Sequence, residues 1–268
     1  MNIRRILVFI LLFTALIVNG QKVPVPAFKS VCAFTREEVL TFQLRYGFIV
    51  GGITTLSLED DIYDGKPAFH AVAVAKTKGM ANVIYGVEDK YESWFDKETN
   101  LPFKSIRKIK EGGYRFYNEA IFNREENIVT SKLTGKHTVP ENILDLSSLL
   151  YYLRRIDFSG LNKGDLLSFN MYFSDSIFHS DIIYNGRERI KTKFGTINCV
   201  RLSPIVEVGR MFKATDDLTI WLTDDDNCLP ILVRMDIRIV GAVMFRLIKY
   251  ENVKTPLIFE TKNDGNLE

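Results

Sequence analysis

The feature that most restricts how this chain can fold is alternation. From residue 37 onward, apolar and polar side chains trade places at every second position, the signature of strands with one buried face. In Val39–Tyr46, Leu40, Phe42, Leu44 and Tyr46 share one side, with Thr41, Gln43 and Arg45 opposite. Leu167–Ser174 sets Leu167, Phe169, Met171 and Phe173 against Ser168, Asn170 and Ser174. Ile231–Ile239 repeats the pattern, with Arg234, Asp236 and Arg238 on its polar side. Weaker runs fall at 49–59, 67–77, 90–96, 102–110, 114–122, 127–133, 177–184, 188–193, 195–207, 217–223 and 243–250. Asp64-Gly65, Gly112-Gly113, Asn185-Gly186 and the Asp224–Asn227 cluster supply turns between them. The pattern predicts about fourteen strands.

Helix is scarce. Asp145–Arg155 carries a Leu146, Leu149, Leu150, Leu153 stripe behind Asp145, a good N-cap, and ends on Arg154 and Arg155, which complement the dipole. A shorter helix is expected over Met80–Val87. A closed barrel of fourteen strands would leave a lumen that side chains cannot fill. The sheet must therefore spiral open, fold into two layers, or be plugged by the helix. The expected fold class is mainly β: a large, curved, mostly antiparallel sheet forming an open or spiral barrel with one clear helix at about 145–155. The first and last solutions leave an apolar concavity, and the helix is the element placed to cover it.

Residues 1–20 differ from the rest. Arg4 and Arg5 precede the uncharged run Ile6–Val18, and small residues follow at Asn19-Gly20. The run is shorter than the roughly 20 residues needed to span a bilayer, so it predicts a signal peptide cleaved near Gly20/Gln21 and a protein that does not span the membrane afterwards. Residues 21–33 then form an N-terminal extension, 34–255 a single β-rich domain, and 256–268 a tail. Without the signal, the 35 basic residues fall by two to 33, against 33 acidic ones. That balance argues against nucleic acid and against a polybasic membrane-surface protein.

The three cysteines are an odd number for an exported chain. Cys199 and Cys228 either form a disulfide in an oxidising compartment or remain buried thiols. No nucleophile elbow, phosphate loop or zinc motif occurs, and His70, His137 and His179 lack metal-ligand spacing. Asp224–Asn227 and Glu59-Asp60-Asp61 read as turns. No catalytic residue, metal or cofactor is therefore assigned. Trp94, Tyr114, Phe116, Tyr151, Tyr152 and Trp221 are the candidate ligand-binding residues, since aromatics bring large apolar area with a polar tip. In the predicted strand around Trp221, that side chain points away from Leu218, Ile220 and Leu222.

Several segments carry a resemblance. Glu38–Leu58 resembles the opening strand pair of the exported bacterial proteins catalogued as domain of unknown function 3108. Asp145–Arg155 is similar to that family's D-x-x-S-x-L-Y-x-L-R helix, and Leu218–Asp224, Leu229-Pro230 and Gly241 to its ending. Arg36 stands where the family has Gly, and Thr54 where Ala is usual. The resemblance implies a β-rich fold related in shape to the open half-barrels of periplasmic lipoprotein carriers, and no established activity. Three expectations follow. The first is a periplasmic module binding a lipid-like or glycolipid ligand in cell-envelope maintenance. The second is a scaffold with a filled interior, docking an envelope protein partner through strand edges or Arg154 and Arg155. The third is a hydrolase gathering His179 or His137 with carboxylates.

Overall fold

The structure is a computed structural model that describes residues 21–30, 33–206, 212, 214–238 and 241–259. The expected signal peptide at 1–20 and Cys32 lie outside the described residues.

Fifteen strands form one sheet. They are β1 (Glu38–Tyr46), β2 (Ile49–Tyr63), β3 (Lys66–Thr77), β4 (Glu88–Asp96), β5 (Pro102–Glu111), β6 (Tyr114–Asn123), β7 (Ile128–Ser131), β8 (Gly135–Thr138), β9 (Ile143–Leu144), β10 (Leu166–Phe173), β11 (Ser176–Lys191), β12 (Thr196–Pro204), β13 (Leu218–Thr223), β14 (Pro230–Ile237) and β15 (Gly241–Glu251). Helix α1 (Gly79–Ile84) lies between β3 and β4, and α2 (Leu146–Arg155) between β9 and β10. The order runs from β8 down to β1, across to β15, and on down to β9. Every pairing is antiparallel except β9 with β10. The first and last strands of the meander thus pair with each other, and the gap in the sheet falls between β8 and β9. An open barrel results.

Side chains bridge that gap. Arg107 of β5 lies over the Phe173 ring at 4.2 Å and donates to Ser174 Oγ at 2.6 Å. Asn118 of β6 donates to Asp175 Oδ1 at 2.8 Å, and Arg124 to the Ile143 carbonyl at 3.1 Å. Ala120, Phe122 and Val129 pack there with Ile143 and Tyr172. These contacts hold the edges together without a backbone ladder.

The structure corrects several expectations. Asn185-Gly186 is not a hairpin turn. β11 runs straight through it, and the register against β12 slips between Tyr184 and Arg187. Gly186 takes a φ of +85°, which suits a bulge as well as a turn. The acidic Glu59-Asp60-Asp61 is strand, not turn, because β2 pairs with β3 as far as Tyr63. Two expected strands therefore merge into β11, and the short β8 and β9 appear in addition.

The helix expectation holds for existence and extent. Asp145 caps α2, accepting from Ser148 N at 2.8 Å while Ser148 Oγ accepts from Asp145 N. Its buried face is not the leucine stripe alone: Leu149, Tyr151, Leu153 and Arg154 are buried, whereas Leu146 is exposed. The 21–30 segment packs back against this end of the barrel. Lys29 N donates to Arg155 O, and the Phe28 ring lies 4.7 Å from Tyr152.

Candidate functional site

The face of the sheet that receives α2 can be followed by register. Ser93 of β4 donates to Asp145 at 2.5 Å, so the strand partners of Ser93 and their alternate neighbours face inward. On β1 these are Leu40, Phe42 and Leu44, and on β3 Phe69, Ala71, Ala73 and Ala75. On β14 they are Ile231, Val233 and Met235, and on β15 Leu247, Phe245 and Val243.

Burial along this face changes from one end of the barrel to the other. Leu40, Phe42, Phe69, Ala71, Phe95, Ile231 and Leu247 are buried, at the end where Tyr151 of α2 meets Phe34 and Phe95. Further along the same strands Leu44, Thr54, Ala73 and Ala75 are only half-buried, while Val233, Val243 and Phe245 pack against a second buried cluster of Val206, Phe212, Leu218 and Met235. The helix fills one half of the barrel; in the other, the Val206, Phe212, Leu218 and Met235 cluster packs the β13–β15 side and leaves a shallow cup over Leu44, Thr54, Ala73 and Ala75. Its wall is low because β3 contributes alanines, and because β2 approaches β3 so closely that a Cβ on Gly52 would lie 2.5 Å from the Lys76 carbonyl oxygen. The helix therefore covers half of the concavity rather than all of it.

Near the mouth of the cup sits a polar inward cluster. Asp89 and Glu111 are both buried. Burial pushes the Glu111 carboxyl up to about 7, with Asp89 adding to the effect, and burial also raises Asp89. Two carboxyls held together out of water cannot both ionise cheaply. Burial raises the Tyr91 phenol to about 12. Asp89 Oδ1 accepts from the Lys110 backbone N–H at 3.0 Å.

The six aromatics are not gathered into one groove. Phe116 is half-buried and inward beside Arg107, 5.1 Å away, and the half-exposed Tyr114 stands at the mouth. Tyr151 is fully buried in the core. Tyr152 is half-buried between Phe28 and Phe169. Trp94 points outward, stacked on His70 at 4.0 Å and donating to Asp61 at 2.8 Å, which lowers that carboxyl. Trp221 pairs in register with Arg201, is hydrogen-bonded to Glu188, and is buried in the cluster that holds Cys199, Leu229 and Ile231.

Other expectations change too. The Cys199–Cys228 bridge is not formed: both are buried free thiols. Cys228 sulfur lies 3.1 Å from Lys29 Nζ, and burial pushes the Cys199 thiol up to about 12. The docking role for Arg154 loses its surface, because Arg154 is wholly buried against Glu38. His179 bonds Asn170 and His137 bonds Thr134, so neither expected hydrolase histidine is hydrogen-bonded to a carboxylate among the described residues. Asp225 accepts from Asn227 N, Cys228 N and Thr223 Oγ1, which makes Asp224–Asn227 a turn. Sequence reasoning missed the cup residues themselves. Their signal was the small inward set Ala71, Ala73, Ala75 on an otherwise bulky sheet.

Fold and site together define a class: an antiparallel barrel open along one seam, plugged at one end by a helix, with an apolar cup at the other. The chain belongs to the family described as protein of unknown function DUF3108, whose model matches residues 41–248. A solved structure with the same fold is the β-barrel-like protein of domain of unknown function DUF1849 from Brucella abortus. It is 9% identical, with a TM-score of 0.53, covering 84% of this chain and 99% of that one. A search of curated proteins finds no match.

Proposed function

We propose that this protein is an exported, periplasmic binding module that takes a lipid-like molecule into the cup, serving the cell envelope. One observation carries the reading: the inward face at Leu44, Thr54, Ala73 and Ala75 stays half-buried, although the same strands are sealed under α2 a few residues away. Exposed apolar area of this kind is stabilised by covering it, at about 25 cal/mol per Å². A ligand with an acyl chain fits such a wall, which offers methyl groups and aromatic edges and few polar atoms. Phe116 and Tyr114 stand at its entrance.

The test is native mass spectrometry of the gently extracted protein, together with uptake of a fluorescent fatty acid. Ala73→Trp and Ala75→Trp fill the cup from its wall. Each is expected to abolish uptake while the melting temperature is retained. A consistently ligand-free mass with no uptake by the wild type would overturn the reading.

A further inference from the structure

We propose that the open end of the barrel is a docking edge for an anionic lipid bilayer. Three turns meet there. Lys78 N donates to Gly51 O at 3.0 Å, which joins α1 to the β1–β2 tip, and Gly112 N donates to Gly86 O at 2.7 Å, which joins α1 to the β5–β6 tip. The Tyr46 ring lies beside Gly241, the first residue of β15. Arg45 holds the β1–β2 tip in shape by donating to the Phe48 carbonyl at 3.1 Å.

This edge presents large apolar side chains to solvent. Phe48 is 88% exposed, Met80 74%, Val83 80% and Ile84 76%. Met80, Val83 and Ile84 share one face of α1 by their i, i+3, i+4 spacing, and α1 buries no residue of its own. Solvated turns do not need such residues, and a contiguous apolar patch marks a surface that something covers.

Charge identifies what covers it. Directly behind the edge, on the outer face of the sheet, register sets Lys90 beside Lys108 and Lys110 beside Arg115. With Lys76 they line an open cleft in which Glu88 is the single acid among the described lining residues. Glu88 is already shared between Lys76 and Lys110, and Lys90 pairs with Glu92. Lys78 and Lys108 are exposed and have no ion-pair partner among the described residues. Cations thus outnumber acids in the cleft behind the apolar lip. An apolar edge that inserts at the headgroup boundary, backed by cations that meet anionic lipid, is how a protein lies on a membrane without crossing it.

Docked this way, the mouth of the cup faces the bilayer, and an acyl chain can pass between them without crossing water. That consequence rests on the function proposed above; the docking itself does not.

The experiment is co-sedimentation of the purified protein with vesicles of phosphatidylglycerol and phosphatidylcholine, against vesicles of phosphatidylcholine alone. Binding is expected only to the anionic vesicles and is expected to weaken as salt rises. Lys78→Glu with Lys108→Glu should weaken partition by roughly thirty-fold or more, from about 1 kcal/mol per cation. Phe48→Ser with Val83→Ser should abolish it with the melting temperature unchanged, since both side chains are exposed. Equal partition to the two vesicle types, no binding, or binding indifferent to both double variants would overturn the proposal. So would a solution dimer dissolved by the Phe48 and Val83 changes, which would make a second copy the partner. Fatty-acid uptake measured without vesicles separates the two readings. Its loss with vesicle binding intact removes the cup alone, and the converse result removes the docking edge alone.

Discussion

The guanidinium of Arg154, near the end of α2, grips the carboxylate of Glu38, the first residue of β1, through contacts of 2.6 and 2.8 Å, and both side chains are wholly buried. The remaining donors are used as well. Nε and Nη2 reach the Asn227 carbonyl, and Nη2 also reaches Ala33 O. The Phe34 and Tyr151 rings lie against the cation at 5.1 and 5.2 Å. One side chain therefore ties the plug to the first strand, to the segment preceding it and to the β13–β14 turn.

Removing either partner leaves an unpaired charge in the core. Arg154→Met or Glu38→Leu is expected to destabilise by about 3–5 kcal/mol. The Arg154→Met, Glu38→Leu double variant should recover much of that loss, because it removes both charges and restores apolar volume. Chemical denaturation of the three proteins reads the cycle. Additive losses in the double variant would show that the pair is not coupled.

The plug can be probed by packing and by capping. Leu149 is buried in the cluster formed with Leu167, Phe169 and Met171, so Leu149→Ala should cost about 2–5 kcal/mol. Asp145 is a buried cap that also accepts from Ser93, so Asp145→Ala belongs at the upper end of capping losses, about 2 kcal/mol. Leu146→Ala should be nearly silent, since that side chain is exposed. Thermal unfolding of the three variants checks the order.

The strands were legible because their period of two survives wherever one face is buried, as in β1, β10 and β14. Their joints were less so. Gly186 at positive φ satisfies both a hairpin turn and a bulge, and only the β12 register distinguishes them. β9 is two residues long and carries no period at all. Arg154 read as a cation at a helix end, because its partner stands 116 residues away and no local pattern points to it. The cup was hidden for a related reason: alternation reports which side chains face inward, not how far a helix reaches along them. Trp94 and Trp221 are candidate aromatics in the sequence, yet Trp94 turns to the outer face, Trp221 is buried in the core cluster, and each bonds a carboxylate.

Thiol chemistry offers a separate check. Burial raises the thiols of both Cys199 and Cys228, which keeps them in the unreactive protonated form. Neither is expected to react with iodoacetamide at neutral pH in the native protein, and both should react at once after unfolding in guanidinium. Peptide mapping under non-reducing conditions should return no fragment joining 199 to 228. Recovery of that fragment would contradict the structure at both positions.

The buried carboxyl pair at the mouth of the cup makes stability depend on pH with a definite sign. The Glu111 carboxyl ionises at about 7 in the fold against an ordinary value of 4.5, so the folded state holds its proton more tightly than the unfolded chain does. Stability from this site is full below 4.5 and falls as pH rises from there toward 7, because between those limits the native state binds the extra proton. Glu111→Gln keeps the shape and removes the titration. The variant should match the wild type near pH 4 and melt higher than it at pH 8, with the gap opening between pH 4.5 and 7. Calorimetry across that range is the measurement. A constant gap at every pH would mean that Glu111 and Asp89 titrate as ordinary surface acids, and that the inward face at the mouth is wetter than its burial indicates.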